Sequence, residues 1–168
     1  LGYNELIALA QDAEALIWSF EISQLLRENF RSWLKAESGD ERLHQVVTNV
    51  CGLVAKKFRM QPDELHTVAA RALNEGRLEL RGEFPAQASG IRDCTCVFYD
   101  AFSKKMNPDL WNEDMIKAQI GALTAKQAVV TTYAATGALN RALTALGFQL
   151  KNKKGFSGKR ESTLAIRE

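Results

Sequence analysis

The chain has 168 residues, of which 46% are hydrophobic and 25% charged, a composition typical of a globular protein with one sizeable core. It contains no run of about 18 apolar residues, so neither a membrane span nor a secretory leader is expected. The net charge of +2 excludes an obligate polybasic binder but allows a local basic patch.

The cysteines and histidines are not spaced in the sequence like the ligands of a metal site. Cys51, Cys94 and Cys96 are odd in number and lack metal-type spacing. A C-x-C inside a strand directs its two thiols to opposite faces, so we expect reduced, buried cysteines in a cytoplasmic protein. His44 and His66 have no second ligand four residues further on, and no metal is therefore predicted.

Helical and strand patterns alternate along the chain. In order, they predict a helix at 4–13, a strand at 15–21, helices from 22 to 76 with breaks near 38–40 and 61–64, strands at 77–84 and 94–101, a helix at 111–123, a strand at 126–134, a helix at 135–147, and a closing antiparallel hairpin from 148–156 and 162–168. This order predicts one α/β domain over residues 1–168 with a mainly parallel sheet. In such folds, ligands bind at the carboxyl ends of the strands.

Two features near the start of the chain fall where such a fold binds ligands. Gly2 in LGYN is placed like the end of a glycine-rich turn, where the backbone approaches a ligand and the following helix supplies N–H donors. Glu21 ends the strand at 15–21, where an acid can accept hydrogen bonds from two ribose hydroxyls. An acid near a helix N-terminus, favoured by the helix dipole, is an equal alternative for Glu21.

Asp100 is the third feature, directly after the apolar strand CTCVFY. A carboxylate with a nearby aromatic, here Phe102, can orient an amine and shield it from water. The alternative is a loop acid or a helix N-cap. The residues up to this point leave both open.

Residues 151–160, KNKKGFSGKR, hold five basic residues and no acidic one. A run of this kind is a solvated loop in many proteins. A basic run that includes an aromatic, here Phe156, also suits a phosphate-rich partner.

Two long segments resemble a known family. DAFSKKMNPDLW at 100–111 is similar to the D-x-F-[AS]-P-x-K-N-P-x-[ML]-W segment of the tRNA wobble-uridine methyltransferases. The later run TTYAATGALNRALTALGF, followed by GFSGKRE, is similar to the T-Y-[ST]-x-A-x-x-[VL]-R-x-x-L-x-x-A-G-F and G-F-G-x-K-R-E segments of that family. These enzymes are the methyltransferase half of the bifunctional protein that makes 5-methylaminomethyl-2-thiouridine, and its stand-alone relatives. No flavin-type G-x-G-x-x-G of an oxidase half occurs here, so the stand-alone form is expected.

The resemblance implies a Rossmann-like class I fold that uses S-adenosylmethionine, with a helical insertion after the family's second strand. The family's first strand and most of its glycine loop are expected upstream of Leu1. The methyl acceptor would be the primary amine of 5-aminomethyl-(2-thio)uridine in the tRNA anticodon loop. Two alternatives stay open: a methyltransferase of the same fold acting on another amine, and a non-catalytic cofactor- or RNA-binding module.

Carried over by position, the resemblance also implies three groups of site residues. The cofactor group is Gly2, Tyr3, Asn4, Glu21, Gly82, Glu83 and Asp100, with Glu21 at the ribose and the Gly82–Glu83 pair beside the adenine. The catalytic corner is Asp100 and Phe102. The tRNA group is Lys104, Lys105, Lys153, Lys154, Lys159 and Arg160. The chain departs from the family in two of these places, with Glu83 where Asp is usual and Lys104 where Pro is frequent.

Overall fold

The computed structural model describes residues 2–100, 105, 107–154 and 161–168, and for residues 152–154 and 161 it describes the backbone alone. Phe102, Lys104, Lys159 and Arg160 of the expected site therefore lie outside the described residues. The chain divides into two compact units, Leu1–Ala88 and Ser89–Glu168. Across the described residues, no helix is both long and apolar enough to cross a membrane.

The first unit combines a helical layer with a two-stranded parallel sheet. Its elements are α1 (Tyr3–Gln11), β1 (Ile17–Phe20), α2 (Gln24–Leu34), α3 (Glu41–Phe58), α4 (Pro62–Asn74) and β2 (Leu78–Arg81). The strands pair in register from Ile17 opposite Leu78 to Phe20 opposite Arg81. Helices α2, α3 and α4 all lie between β1 and β2, which confirms the predicted helical insertion.

Short polar residues set where the helices of the insertion begin. The Ser23 hydroxyl accepts a hydrogen bond from the Leu26 N–H at 3.3 Å, and the Asp40 carboxylate accepts from the Arg42 and Leu43 N–H groups at 2.9 and 3.1 Å. Pro62 is the first residue of α4, where its missing N–H costs nothing. The predicted breaks near 38–40 and 61–64 are confirmed.

The core of the first unit joins its helices to β2. Its largest fully buried side chains are Leu6, Leu9, Phe30, Leu34, Val47, Leu65 and Leu78. Burying a side chain of this size stabilises the fold by about 1.5–3 kcal/mol. This core therefore packs the helices of the first unit against β2.

The second unit has a mixed sheet. Its elements are β3 (Cys94–Phe98), a 3-10 turn (Asp109–Trp111), α5 (Glu113–Leu123), β4 (Thr124–Thr132), α6 (Gly137–Ala145), β5 (Gln149–Lys154) and β6 (Glu161–Arg167). The strand order is β3-β4-β6-β5, in which only the β3–β4 pair is parallel. Because β6 lies between β4 and β5 and runs antiparallel to both, β3, β4 and β5 run in the same direction, and the expected mainly parallel sheet is found here with β6 as its reversed strand. The closing hairpin itself is confirmed.

The cysteines are only partly as expected. All three are free, and Cys51 is buried in α3, where burial raises the pKa of its thiol. Cys94 is half-buried and Cys96 is exposed, so the expected burial is wrong for both. The reason is that β3 lies at the edge of this unit's described sheet, with a strand neighbour on one side.

Candidate active site

Glu21 and Gly82 lie side by side at the carboxyl edge of the first unit's sheet. The register places Phe20 opposite Arg81, and the Glu21 N–H donates to the Arg81 carbonyl at 3.1 Å. Because the strands are parallel, the residues that follow each of them meet at one edge. The structure therefore brings together three of the expected cofactor residues, Glu21, Gly82 and Glu83.

The Glu21 carboxylate also has a structural role. Its Oε1 accepts a hydrogen bond from the Ser23 N–H at 2.8 Å, just before α2 begins. The Arg27 guanidinium donates to the Glu21 carbonyl and, at 3.1 Å, to the Ile22 carbonyl, which fixes the turn out of β1. Within the described part of the chain, Oε2 of Glu21 has no hydrogen-bond partner, so this oxygen can accept from a bound hydroxyl.

The turn after β2 is organised by Gln87, which the sequence did not single out. Its Oε1 accepts from the Gly82 N–H at 2.7 Å, and its own N–H donates to the Glu83 carbonyl at 2.9 Å. A Cβ on Gly82 would lie 2.8 Å from Nε2 of Gln87, so a larger residue at this position would displace the Gln87 side chain from its hydrogen bond. The turn leaves the side chain of Glu83 exposed to solvent.

Gly2 starts α1 in a left-handed conformation, with φ of +72°. A Cβ at this position would lie 2.7 Å from Cε2 of Phe30, so glycine is required by the fold itself. Tyr3 and Asn4 form the first helical turn, in which Tyr3 is exposed. In the same turn, Glu5 accepts a hydrogen bond from the Ser19 hydroxyl, which joins the start of α1 to β1. No pattern in the sequence singled out Glu5.

Asp100 lies at the carboxyl edge of the second unit's sheet. Tyr99 continues β3, with its N–H donating to the Thr131 carbonyl at 2.8 Å, and Asp100 follows with its side chain exposed. Oδ1 of Asp100 accepts a long hydrogen bond, 3.4 Å, from the N–H of Tyr133 at the end of β4. The parallel β3–β4 pair is what brings these two strand ends together.

Tyr133 is the residue beside Asp100 that was not singled out from the sequence. Its side chain is 39% exposed, and its pKa is raised by partial burial and then by the negative charge of Asp100. The available signal was its place in the TTYAATGAL segment that carries the family resemblance. A phenol and a carboxylate at one corner offer an aromatic surface and an acceptor to an amine-bearing base.

Tyr99 and Trp111 serve the core instead. Trp111 is 2% exposed, and its ring packs edge-on against Tyr99 at a centroid distance of 5.5 Å. The Tyr99 hydroxyl donates to the Leu110 carbonyl, and burial raises the pKa of Tyr99 to about 12. Trp111 therefore belongs to the core of the second unit.

The expected tRNA residues are described only in part. Lys105 is exposed. Lys153 and Lys154 lie in β5, with their backbones opposite Ser162 and Glu161. The contacts of this group stay a prediction.

The residues at the edge of the first sheet fit S-adenosylmethionine by their chemistry. A ribose offers hydroxyl donors and an adenine offers an amino donor, and the edge carries the acceptors Glu21 and Glu83 with a tight glycine turn between them. Phe30 lies close to Gly2 and Gln87 lies close to Gly82, so packing within the fold already explains why these two positions carry glycine.

Comparison with known proteins identifies the family. Residues 37–168, well over half of the chain, match the model of an S-adenosyl-L-methionine-dependent methyltransferase family. The chain belongs to this methyltransferase family. Its cofactor is accordingly S-adenosyl-L-methionine, as expected from the resemblance. The matched stretch includes Gly82, Glu83 and Asp100 but begins after Glu21.

Similar curated proteins agree with this assignment. The tRNA 5-methylaminomethyl-2-thiouridine biosynthesis bifunctional protein MnmC of Marinomonas sp. (strain MWYL1) is 30% identical over 107 residues, which are 61% of this chain and 16% of that protein. The protein of the same name from Hahella chejuensis (strain KCTC 2396) is 26% identical over 161 residues, 80% of this chain and 25% of that protein. The chain thus spans a quarter or less of these two curated relatives.

A solved structure shares the fold. The crystal structure of MNMC2 from Aquifex aeolicus matches with a TM-score of 0.51 at 18% identity, over 95% of this chain and 55% of that one. The expected α/β, Rossmann-like methyltransferase fold is therefore confirmed.

Proposed function

We propose that this methyltransferase transfers a methyl group to the primary amine of 5-aminomethyl-(2-thio)uridine at the wobble position of tRNA, in the cytoplasm. The observation that carries the proposal is the position of Asp100 at a strand end beside the Tyr133 amide, inside the segment that resembles the wobble-uridine enzymes. The names of the similar proteins support the same substrate. We also propose that residues 1–168 act as one methyltransferase domain, which the extent of the structural match supports.

The cofactor would be held mainly by the first unit. Glu21 would accept from the ribose hydroxyls and the Gly82–Glu83 turn would lie beside the adenine, while Gly2, Tyr3 and Asn4 would lie under the methionine part. When bound, S-adenosylmethionine supplies a methyl group on a positively charged sulfur.

The role of Asp100 follows from the chemistry of the acceptor. A primary alkylammonium has a pKa of about 10, so it must lose a proton, to Asp100 or to water, before its nitrogen has a lone pair that can attack the methyl group. Oδ1 of Asp100 accepts from the Tyr133 N–H, and since an ionised carboxylate has several acceptor sites, Asp100 can also take a hydrogen bond from the amine and aim its lone pair. Alignment of this kind can supply a large share of the rate.

The tRNA would be held by charge and stacking. The wobble base lies in a single-stranded loop, so it can be splayed out and stacked on an aromatic such as Phe102. Lys104, Lys105, Lys153, Lys154, Lys159 and Arg160 would contact anticodon-stem phosphates, which are the main source of affinity for a protein of this kind.

The test compares wild type with Asp100→Ala and the isosteric Asp100→Asn on tRNA carrying 5-aminomethyl-2-thiouridine. Both variants are expected to lose transfer by at least about 100-fold, because the amine is no longer aligned. Calorimetry should show cofactor affinity within about two-fold of wild type, because Asp100 acts mainly on the amine.

Three outcomes would contradict the proposal. Retained turnover in Asp100→Ala would overturn the catalytic assignment. A wild-type chain that methylates simple amines as well as tRNA would favour another substrate. A chain that does not bind the cofactor would favour a non-catalytic module.

A further inference from the structure

Two buried threonines hold the backbone just after Tyr133. The Thr132 hydroxyl accepts from the Ala134 N–H at 3.1 Å, and the Thr163 hydroxyl donates to the Ala134 carbonyl at 2.8 Å. Thr132 and Thr163 are paired across β4 and β6, and each is 3% exposed. Both backbone polar groups of Ala134 are therefore bonded to side chains inside the sheet.

This arrangement also restrains Tyr133, the residue before Ala134. Tyr133 lies between Thr132, which is fixed in β4 by its pairing with β6, and Ala134, which the two hydroxyls hold. The Tyr133 peptide group is thus restrained on both sides, and with it the direction of the N–H that reaches Asp100. Buried hydroxyls are hydrogen-bonded almost without exception, and here both bonds go to the chain that leaves β4 rather than to a neighbouring side chain.

We propose that Thr132 and Thr163 are positioning residues for Asp100. The threonine pair holds the Tyr133 amide towards the Asp100 carboxylate, and the hydrogen bond between them restrains the orientation of the carboxylate. The claim that this orientation matters for methyl transfer rests on the proposed function. The claim that the pair controls the Tyr133 amide stands on the hydrogen bonds alone.

If Thr132 and Thr163 had a purely structural role, their variants would behave differently. If the threonines served only to join β4 to β6, their loss would lower stability and affect activity no more than an equal loss elsewhere in the strand. Thr124 provides this comparison, because its hydroxyl donates to the Ile120 carbonyl at 2.7 Å and accepts from Arg167 at 2.8 Å. It lies at the other end of β4, ~26 Å away by the rise of a strand.

The experiment measures three variants in parallel. Thr163→Val removes the hydroxyl and keeps the shape, Thr163→Ser keeps the hydroxyl, and Thr124→Val is the matched control. Exchange of the Tyr133 amide proton, followed by NMR, is expected to speed up about ten-fold in Thr163→Val only, the effect of losing one hydrogen bond. The kcat for the tRNA should fall about ten-fold in the same variant, with KM and cofactor affinity unchanged, and return in Thr163→Ser.

The results separate the two claims. Unchanged Tyr133 exchange in Thr163→Val, or an equal fall in kcat in Thr124→Val, overturns the positioning role. A wild-type chain without methyl transfer refutes the proposed function, and the exchange rates still decide whether the pair controls the amide. Should Thr163→Val fail to fold, Thr132→Val removes the hydroxyl that accepts from the Ala134 N–H, and the same outcomes support or overturn the positioning role.

Discussion

Tyr99 and Asp100 are neighbours in sequence whose side chains meet opposite environments. Tyr99 is 5% exposed and packs on Trp111, whereas Asp100 is exposed at the sheet edge. This division follows from the alternation of side chains along an extended chain. The buried phenol anchors the strand end from which the carboxylate projects.

Replacement of Tyr99 by Phe is expected to change how stability depends on pH. The folded pKa of about 12 lies above the ordinary value of 10.0, so between pH 10 and 12 the folded state keeps a proton that the unfolded chain has lost. The stability due to this group is fully present below pH 10 and is lost as pH rises to 12, by at most about 1.4 kcal/mol per pH unit. Urea denaturation across this range should show a shallower decline in Tyr99→Phe.

The same variant has a cost at neutral pH. The Leu110 carbonyl loses its donor, which should lower the free energy of unfolding by about 1–2 kcal/mol. Tyr133→Phe is the control, since that phenol has a raised pKa but is 39% exposed, and its effect on the slope should be smaller. An unchanged slope in Tyr99→Phe would refute this account of its burial.

Replacement of Glu21 by Gln separates its two roles. Gln keeps an oxygen for the Ser23 N–H but loses the charge and one acceptor that a ribose would use. We expect cofactor affinity, measured by calorimetry, to fall about 10- to 100-fold with little loss of stability. Glu21→Ala should lose stability as well, because the Ser23 N–H loses its partner.

Glu79→Gln is the matched control for Glu21. It removes a carboxylate from β2 of the same unit, where Glu79 pairs with Arg81 at 2.8 Å. Cofactor affinity should not change in this variant. If Glu21→Gln binds the cofactor as tightly as wild type, Glu21 is only the acid before α2.

At the scale of secondary-structure elements, the Arg167 side chain adds hydrogen bonds that join the last strand, β6, to other parts of the second unit. Arg167 donates through Nε to the Lys126 carbonyl at 3.0 Å and through Nη1 to the Leu146 carbonyl at 2.9 Å, and its guanidinium lies 4.5 Å from the centre of the Phe148 ring. Its Nη2 also reaches the Thr124 hydroxyl. The planar fork thus joins β6 to the start of β4 and to the turn before β5.

Arg167→Lys is expected to lower the free energy of unfolding by about 2–3 kcal/mol, because an ammonium cannot span these acceptors. Cofactor affinity should not change. Arg141→Lys is the control, since Arg141 pairs with Glu113 at 2.7 Å on the surface and should cost less than about 1 kcal/mol. Equal losses in the two variants, by urea denaturation, would contradict the role given to Arg167.

The elements themselves were largely predictable from the sequence, and their pairing was not. Helices and strands were placed close to their observed bounds because the apolar periodicity is local and the breaks near 38–40 and 61–64 are readable from the sequence. The position of β6 between β4 and β5 depends on contacts between distant residues, so this strand order was not predicted.

The candidate site, like the fold, was predictable from the sequence only in part. Glu21 and Asp100 were singled out by their places at strand ends and Gly82 by the family resemblance, and the roles of all three stay predictions. Gln87, Tyr133 and the Thr132–Thr163 pair were missed because their roles arise from turns and strand pairing that only the folded chain brings about.

For the whole molecule, membership of the methyltransferase family fixes the cofactor, and the substrate is the central proposal. The chain's small net charge of +2 conceals the concentration of positive charge at residues 151–160. A chain that combines this local basic segment with the proposed role of Asp100 suits an RNA substrate better than a small amine.

The most direct test is mass spectrometry of wobble nucleosides in tRNA from cells that lack this protein. We expect accumulation of 5-aminomethyl-(2-thio)uridine and loss of its methylated form, with wild-type protein but not the Asp100→Ala variant restoring the product. An unchanged level of 5-methylaminomethyl-(2-thio)uridine in those cells would refute the proposed substrate.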